Sequence, residues 1–407
     1  MFGRQKKSMR DDTLKAISLY DISKGRRARY TYEKYGRTYE IRPENIMISL
    51  MVGARRCGKT TLLCSMVRSF RGLIKDHLEF DALDVDTQKE LKAFEGKLKE
   101  FTDAPTVRLG IDPTFALNIY DFVLFDPRTN VPYLFRFVDV PGEWVKADEY
   151  RHDMQKLIEA ADVLLFTVHS PALMELNGRF CEEIIAPQRV NELAGDIGSE
   201  HNSRNKLVLF VPIMCERYYW NSIDAASGKH LSDVEHATGQ LFGSLIHSLA
   251  EYNRRVEKGI TAAILPVLTT GGVKLYKIER TENTADTEMR FIRVDRYVRD
   301  NGWYRPTFCE QPMLYIMRFF VHTRFKPKKG LFVKHRDSDV DRYIEKLTAP
   351  CSFDGSTEFS SFESKEAWRG IEPLSKYPAG IYTDVAFLGM KCLYDPQEWF
   401  VAKEKQQ

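Results

Sequence analysis

The sequence predicts an α/β fold in which a mostly parallel sheet is covered by helices on both faces. Two observations predict it. From Ile46 to Leu268, short apolar runs alternate with longer stretches of helical spacing. A glycine-containing loop, "GARRCGKT" (53–60), joins the first apolar run to the first helical stretch.

The elements follow in order. "IMISLMV" (46–52) reads as a buried strand leading into the loop, and "TTLLCSMVRSF" beyond it has helical spacing. Residues 84–101 read as an exposed, charge-laced helix. "LNIYDFVLF" (117–125) and "YLFRFVDV" (133–140) read as strands joined by a turn at "DPRTN". "DEYRHDMQKLIEAAD" is helical, 163–169 is a short buried strand, a helical region occupies about 172–194, and "KLVLFVPI" (206–213) is another strand. Residues 231–257 read as helix and lead into a strand over 261–268.

After Leu268 the alternation stops. "KIERTENTADTEMRF" is polar and reads as a loop or excursion, "CEQPMLYIMRFFVH" (309–322) as a helix returning to the core, and "KPKKG" (326–330) as a boundary. The expected organisation is a basic arm over 1–43, a core domain over 44–325 and a small appendage over 326–407.

Composition narrows the class. Of 407 residues, 43% are hydrophobic and 29% charged, as in a soluble globular protein. Lys plus Arg (60) nearly balances Asp plus Glu (57), so bulk charge indicates no particular partner. The first 43 residues differ, with about a dozen basic side chains against about five acidic ones. They read either as a solvated arm or a few edge strands, or as a segment that docks on an acidic surface such as nucleic acid, anionic lipid or protein. The seven cysteines lack a C-x-x-C pair and read as reduced thiols. No stretch reaches the roughly 18 to 20 apolar residues of a membrane span, and the basic start has no apolar run behind it. The expectation is a soluble, cytoplasmic protein.

Gly53, Gly58, Lys59 and Thr60 satisfy G-x-x-x-x-G-K-[ST], a phosphate-binding loop. The context is the one the physics needs, because a strand enters and a helix leaves. Glycines let backbone N–H groups turn onto phosphate, and the helix N-terminus adds partial positive charge. Gly53, Arg55, Arg56, Cys57, Gly58, Lys59, Thr60 and Thr61 are the candidate phosphate contacts. Lys59 would bridge the β- and γ-phosphates, and Thr60 would ligate Mg²⁺.

"FVDVPGEW" supplies the second element. Asp139 ends a strand and would hold the metal shell, and the Gly142 backbone N–H would approach the γ-phosphate. Glu143 stands where a residue that orients water is expected. Between the two elements a threonine should cover the metal. Thr114, in "GIDPTFALNIY", is the first candidate and Thr106 the alternative.

Together with "VPIMCERYYW" (211–220), "LPVLTTGGV" (265–273) and "YRPTFCEQPMLYIMRFF" (304–320), these motifs resemble the bacterial TRAFAC-clade double-GTPase (DO-GTPase) proteins of multi-component conflict systems. The resemblance spans about residues 46 to 322. It implies a P-loop NTPase of the Ras-like GTPase type, GTP or GDP with Mg²⁺, a role as a conformational switch, and protein partners. The usual N-K-x-D is replaced by Ile213, Met214, Cys215 and Glu216. Glu216 can still accept from guanine donors, or it is a surface acid of a post-strand loop. Met214 offers apolar cover for the base, and Thr269, Thr270 and Gly271 would form the loop behind it.

Arg56 occupies the loop position at which guanylate-binding proteins carry an arginine acting within their own chain, where charge develops in phosphoryl transfer. Arg55 would crowd an arginine brought by a separate protein. Both would otherwise point to solvent. The catalytic expectation is therefore Lys59, Arg56, Glu143 and Thr114, with Thr60, Asp139 and Thr114 at the metal. A homodimer through the nucleotide face would press Arg56 into place. A nucleotide-binding scaffold with little hydrolysis is the alternative, and an ATPase or small-molecule kinase the third reading.

Overall fold

A computed structural model describes residues 30–75, 78–103, 108–109, 116–127, 130–198, 205–219, 231–255, 260–280, 287–293 and 304–324. The described part of the chain begins with an antiparallel hairpin, β1 (Tyr30–Lys34) and β2 (Arg37–Ile41), and then enters β3 (Ile46–Val52). Helix α1 (Lys59–Ile74), β4 (Glu79–Ala82), α2 (Val85–Asp103) and the two-residue β5 (Arg108–Leu109) follow. Next come β6 (Asn118–Asp126), β7 (Val131–Asp139), α3 (Gly142–Lys146), α4 (Arg151–Ala160) and β8 (Val163–His169). Helix α5 (Pro187–Ala194), β9 (Lys206–Ile213), α6 (Leu231–Leu241), α7 (Gly243–Arg255) and β10 (Ile260–Ile264) complete the alternation. The chain then adds β11 (Val273–Arg280), β12 (Thr287–Arg293) and α8 (Gln311–Arg324).

The main sheet has seven strands in the order β10-β9-β8-β3-β7-β6-β4. The five strands from β10 to β7 run parallel, and β6 is antiparallel to both its neighbours. A parallel strand is covered on both faces and so reads as an unbroken apolar run. In β3 all seven residues are buried. Successive side chains point to opposite faces. Met47 and Met51 join the core beneath α1 and α8, with Leu62, Met66, Phe70 and Met313. Ile46, Ile48, Leu50 and Val52 join the core beneath α4, α5 and α7, with Leu157, Val190 and Leu245. This is the three-layer α/β arrangement the sequence predicts.

Local chemistry sets the helix ends. Asp84 caps α2 by accepting from the Thr87 N–H at 2.7 Å and the Thr87 hydroxyl at 2.8 Å. The end of α4 is held from another element. The fully buried Lys206 donates to the carbonyls of Ile158, Glu159 and Ala161 at 2.8, 3.1 and 2.5 Å. Three carbonyls that the helix cannot satisfy itself thereby gain a cation at the negative end of its dipole.

Three expectations change. The helical region around 172–194 is broken into Ser170–Met174, Cys181–Ile184 and α5. Leu176, Asn177 and Gly178 all take left-handed backbone, and Ala186 does so again just before Pro187. The helix over 231–257 is divided at Phe242 into α6 and α7. The polar stretch after Leu268 contains the antiparallel hairpin β11–β12, which pairs through Arg290 and Phe291 with Leu109 and Arg108 of β5. Its apolar residues Val273, Leu275, Ile278, Met289 and Phe291 are buried, so the alternation was present but diluted by charge.

Within the basic stretch 1–43, residues 30–41 form the hairpin β1–β2, which packs on the core. Tyr32 and Ile41 are buried, and Tyr32 and Tyr39 both meet the ring of Phe125. Residues 1–29 and the expected appendage 326–407 lie outside the described residues. Among the described residues, no helix is long and apolar enough to cross a membrane, and Cys57, Cys64, Cys181, Cys215 and Cys309 are free thiols.

Candidate functional site

The phosphate loop leaves the carboxyl end of β3, the central strand, and its shape comes from a few forced contacts. Gly58 has φ 89° and opens α1. A Cβ there would lie 2.4 Å from Cδ1 of Ile213, and the left-handed φ makes the position one that favours glycine. Gly53 is pressed as closely, since a Cβ would lie 2.3 Å from the Thr167 hydroxyl and 2.5 Å from the Cys57 sulfur. Cys57 is fully buried, 3.0 Å from Thr167 Oγ1, and Thr167 also donates to the Val52 carbonyl at 3.2 Å. Thr61 is buried in the first turn of α1. Arg56 is exposed with φ 64°, so the loop curls through a conformation that a non-glycine residue adopts at a cost.

Lys59 turns back over the loop. Its ammonium donates to the Gly53 carbonyl at 3.0 Å and stands 3.9 Å from Asp139 Oδ1. Thr60 donates to Asp139 Oδ2 at 2.7 Å. Asp139 is 1% exposed, and its Oδ1 accepts no hydrogen bond among the described residues. Burial pushes this carboxyl above the usual carboxylate range, while Lys59 and the Thr60 hydroxyl pull it down. A buried, under-satisfied carboxylate oxygen beside a hydroxyl is a hard oxygen donor pair of the kind Mg²⁺ takes. The residues present fit that ion.

The turn after Asp139 closes on the loop. A Cβ at Gly142 would lie 2.1 Å from the Arg55 backbone nitrogen, so the two backbones touch with no room for a methyl group. Glu143 faces the same loop, with Oε1 3.3 Å from Arg55 Nε. Helix α3 is anchored behind them by Trp144, which is buried and stacked on Tyr150 at 5.0 Å.

The residues expected to face a base lie at the end of β9 and in the segment after β10. Ile213 ends β9 against Gly58, and Met214 follows with φ 56°. Glu216 is not a surface acid, being 1% exposed. Its Oε1 accepts from the Thr270 N–H at 2.7 Å, the Thr270 hydroxyl at 2.8 Å and the Gly271 N–H at 3.0 Å. Burial pushes its carboxyl up, against the pull of the Gly271 and Thr270 donors. Its Oε2 has no hydrogen-bond partner among the described residues.

The structure thus gathers Gly53, Arg55, Cys57, Gly58, Lys59, Thr60, Asp139, Gly142 and Glu143 in one connected set of contacts at the carboxyl ends of β3 and β7. Contacts through Ile213 join it to Glu216, Thr270 and Gly271. Thr114 and the alternative Thr106 lie outside the described residues.

Four supporting residues escaped the sequence reading. Thr167 lies beneath the loop. Ser65, fully buried in α1, donates to the Thr269 carbonyl at 2.7 Å and meets the Tyr304 hydroxyl at 3.0 Å. The Arg305 N–H donates to Thr270 O at 2.9 Å, and a Cβ at Gly271 would lie 1.7 Å from the Arg305 carbonyl oxygen. Tyr304 and Arg305 stand in the "YRPTFCEQPMLYIMRFF" motif, which gives no hint of these contacts, and no local signal marks Thr167 or Ser65.

A family model described as Double-GTPase 2 matches residues 46–261 of this chain. Among solved structures, the GTPase-like domain of S. cerevisiae Ski7 bound to GTP matches at 11% identity and a TM-score of 0.32, covering 70% of this chain and 51% of that one. The same domain bound to GDP and inorganic phosphate matches at 11% identity and a TM-score of 0.28, covering 55% and 43%. The chain spans about half the length of these structures or less. No curated protein matches it.

Proposed function

This chain belongs to the Double-GTPase 2 family, and from that premise we propose that it binds GTP with Mg²⁺ and hydrolyses it to GDP and phosphate as a conformational switch. The observation that carries the reading is the Thr60–Asp139 contact at 2.7 Å, with Asp139 Oδ1 buried and unsatisfied beside Lys59. Thr60 and Asp139 would hold Mg²⁺, which when bound neutralises charge on the β- and γ-phosphates.

The chain's own residues do the rest. Lys59 exchanges the Gly53 carbonyl for phosphate oxygens, and the loop N–H groups and the start of α1 hold the anion. Gly142 gives its N–H to the γ-phosphate. Glu143 orients the attacking water, and Arg56 supplies the cation at the bridging oxygen. Arg56 is exposed, and a second copy of the nucleotide face pressed against the first would bring it onto the phosphates. Glu216 reads guanine through Oε2 while Oε1 fixes the loop of Thr270 and Gly271.

GTP turnover by the purified chain at saturating Mg²⁺, compared with ATP, tests this. Turnover of GTP well above ATP is expected, and equal turnover of both would overturn the guanine assignment. Tight binding of GTP without turnover would instead favour the scaffold reading, which the acid Glu143 in place of a glutamine-type water orienter keeps open. Family resemblance also supports work with protein partners in a bacterial conflict system, for which co-purifying proteins are the test. A docking role of the basic N-terminal residues on an acidic surface is best tested by deleting residues 1–29. Binding to anionic vesicles, nucleic acid or a co-purified protein should then be lost, and binding that persists or ignores salt would remove that role.

A further inference from the structure

The phosphate loop carries a second arginine, and the geometry gives it a task distinct from that of Arg56. The Arg55 backbone nitrogen lies against Gly142, where a Cβ would come within 2.1 Å. Its guanidinium reaches forward to Glu143, with Nε 3.3 Å from Oε1. The other oxygen, Oε2, has no hydrogen-bond partner among the described residues. The loop therefore sets a cation beside one oxygen of the carboxylate, as an ion pair without hydrogen-bond geometry, while the other oxygen remains for a further donor. Any γ-phosphate must arrive at this same junction of loop and turn. A carboxylate beside a phosphate dianion is repelled unless a cation stands with it.

We propose that Arg55 is the positioning residue for Glu143, neutralising and aiming its carboxylate so that an acid can stand beside the γ-phosphate. The assignment rests on the GTP reading above but not on hydrolysis. Arg55 and Glu143 are 38% and 41% exposed, so the contact is weak and yields readily when phosphate enters. The half-exposed setting also means that substitution at either position leaves the core intact.

The experiment compares affinities for GDP and for the slowly hydrolysed analogue GTPγS by titration calorimetry with Mg²⁺. Arg55→Ala should lower GTPγS affinity about five- to tenfold relative to GDP. Adding Glu143→Gln to it should restore the ratio, because the repelling charge is gone, and Arg55→Lys should keep most of it. Equal loss for both nucleotides would make Arg55 a general phosphate clamp and overturn the proposal. Loss confined to GTPγS that Glu143→Gln does not rescue would mean direct contact with phosphate and would overturn it too. Wild-type protein that binds neither nucleotide would overturn the GTP reading itself, and this assignment with it.

Discussion

Thr60 and Asp139 stand 2.7 Å apart, oxygen to oxygen, although 79 residues separate them in the chain. The contact joins the first turn of α1 to the last residue of β7, and the register that pairs Met51 with Asp139 places both at the carboxyl edge of the sheet. Ligands of open α/β sheets lie at that edge.

If this pair holds Mg²⁺, Asp139→Asn should weaken Mg²⁺-dependent GTP binding by about tenfold or more, with little effect on binding measured in a chelator. Thr60→Val should act in the same direction. Titration calorimetry with and without the metal separates this from a purely structural contact, for which both conditions would suffer alike.

The double task of Glu216 calls for a conservative variant. Glu216→Gln keeps an oxygen for Thr270 and Gly271 but turns the second oxygen into a donor that faces the guanine donors. GTP affinity should drop while ATP affinity stays nearly constant, shrinking the preference by about 1 to 3 kcal/mol. Parallel losses for the two nucleotides would restrict Glu216 to holding its loop.

Arg56→Ala should cut kcat by roughly 10² to 10⁵, the upper end being the range of arginine fingers, with modest change in nucleotide affinity. The wild-type rate per subunit should rise with protein concentration and that of the variant should not. Normal turnover by Arg56→Ala, or rate and binding falling together, would remove the arginine from the transition state.

His169, at the end of β8, predicts a pH dependence. It is fully buried, and its Nδ1 accepts from the Ala172 N–H at 3.1 Å, capping Ser170–Met174. Burial lowers its pKa from the ordinary 6.5 to about 4. The unfolded chain therefore takes up the proton first on acidification. The contribution is fully present above about pH 6.5 and is lost as pH falls through about 4. Urea melts at pH 7.5 and 4.5 should differ by about 2 to 3 kcal/mol through this residue. His169→Asn retains a cap and should lack that part of the slope.

Much of the candidate site was legible because the phosphate-loop motif fixes residue types and spacing. Gly53, Gly58, Lys59 and Asp139 stand where their motifs require. The parallel strands were legible for a related reason, since burial on both faces leaves the continuous apolar runs of β3, β8 and β9. Support from distant chain segments was not legible. Nothing local in "YRPT" says that Arg305 closes on Gly271, or that Tyr304 meets Ser65 across 239 residues. The hairpin β11–β12 was hidden because one face is charged, which masks alternation in composition. The break at Leu176 to Gly178 carried an Asn-Gly turn signal, which the helical spacing on either side outweighed.

The hairpin at the start of the described chain bears on how the molecule stays apart from its neighbours. Strand β4 ends the main sheet, and an unpaired strand edge is a template on which a stray chain can add and begin aggregation. Here the edge is four residues long and carries Glu79 and Asp81. Lys34 of the hairpin spans both acids at 2.7 Å, and the hydroxyls of Tyr32 and Tyr35 reach the same pair. Some of the positive charge that sets the N-terminal stretch apart thus guards this edge against intruding strands. Truncation at residue 43 would strip the guard, and the resulting protein would reveal its loss first as precipitation.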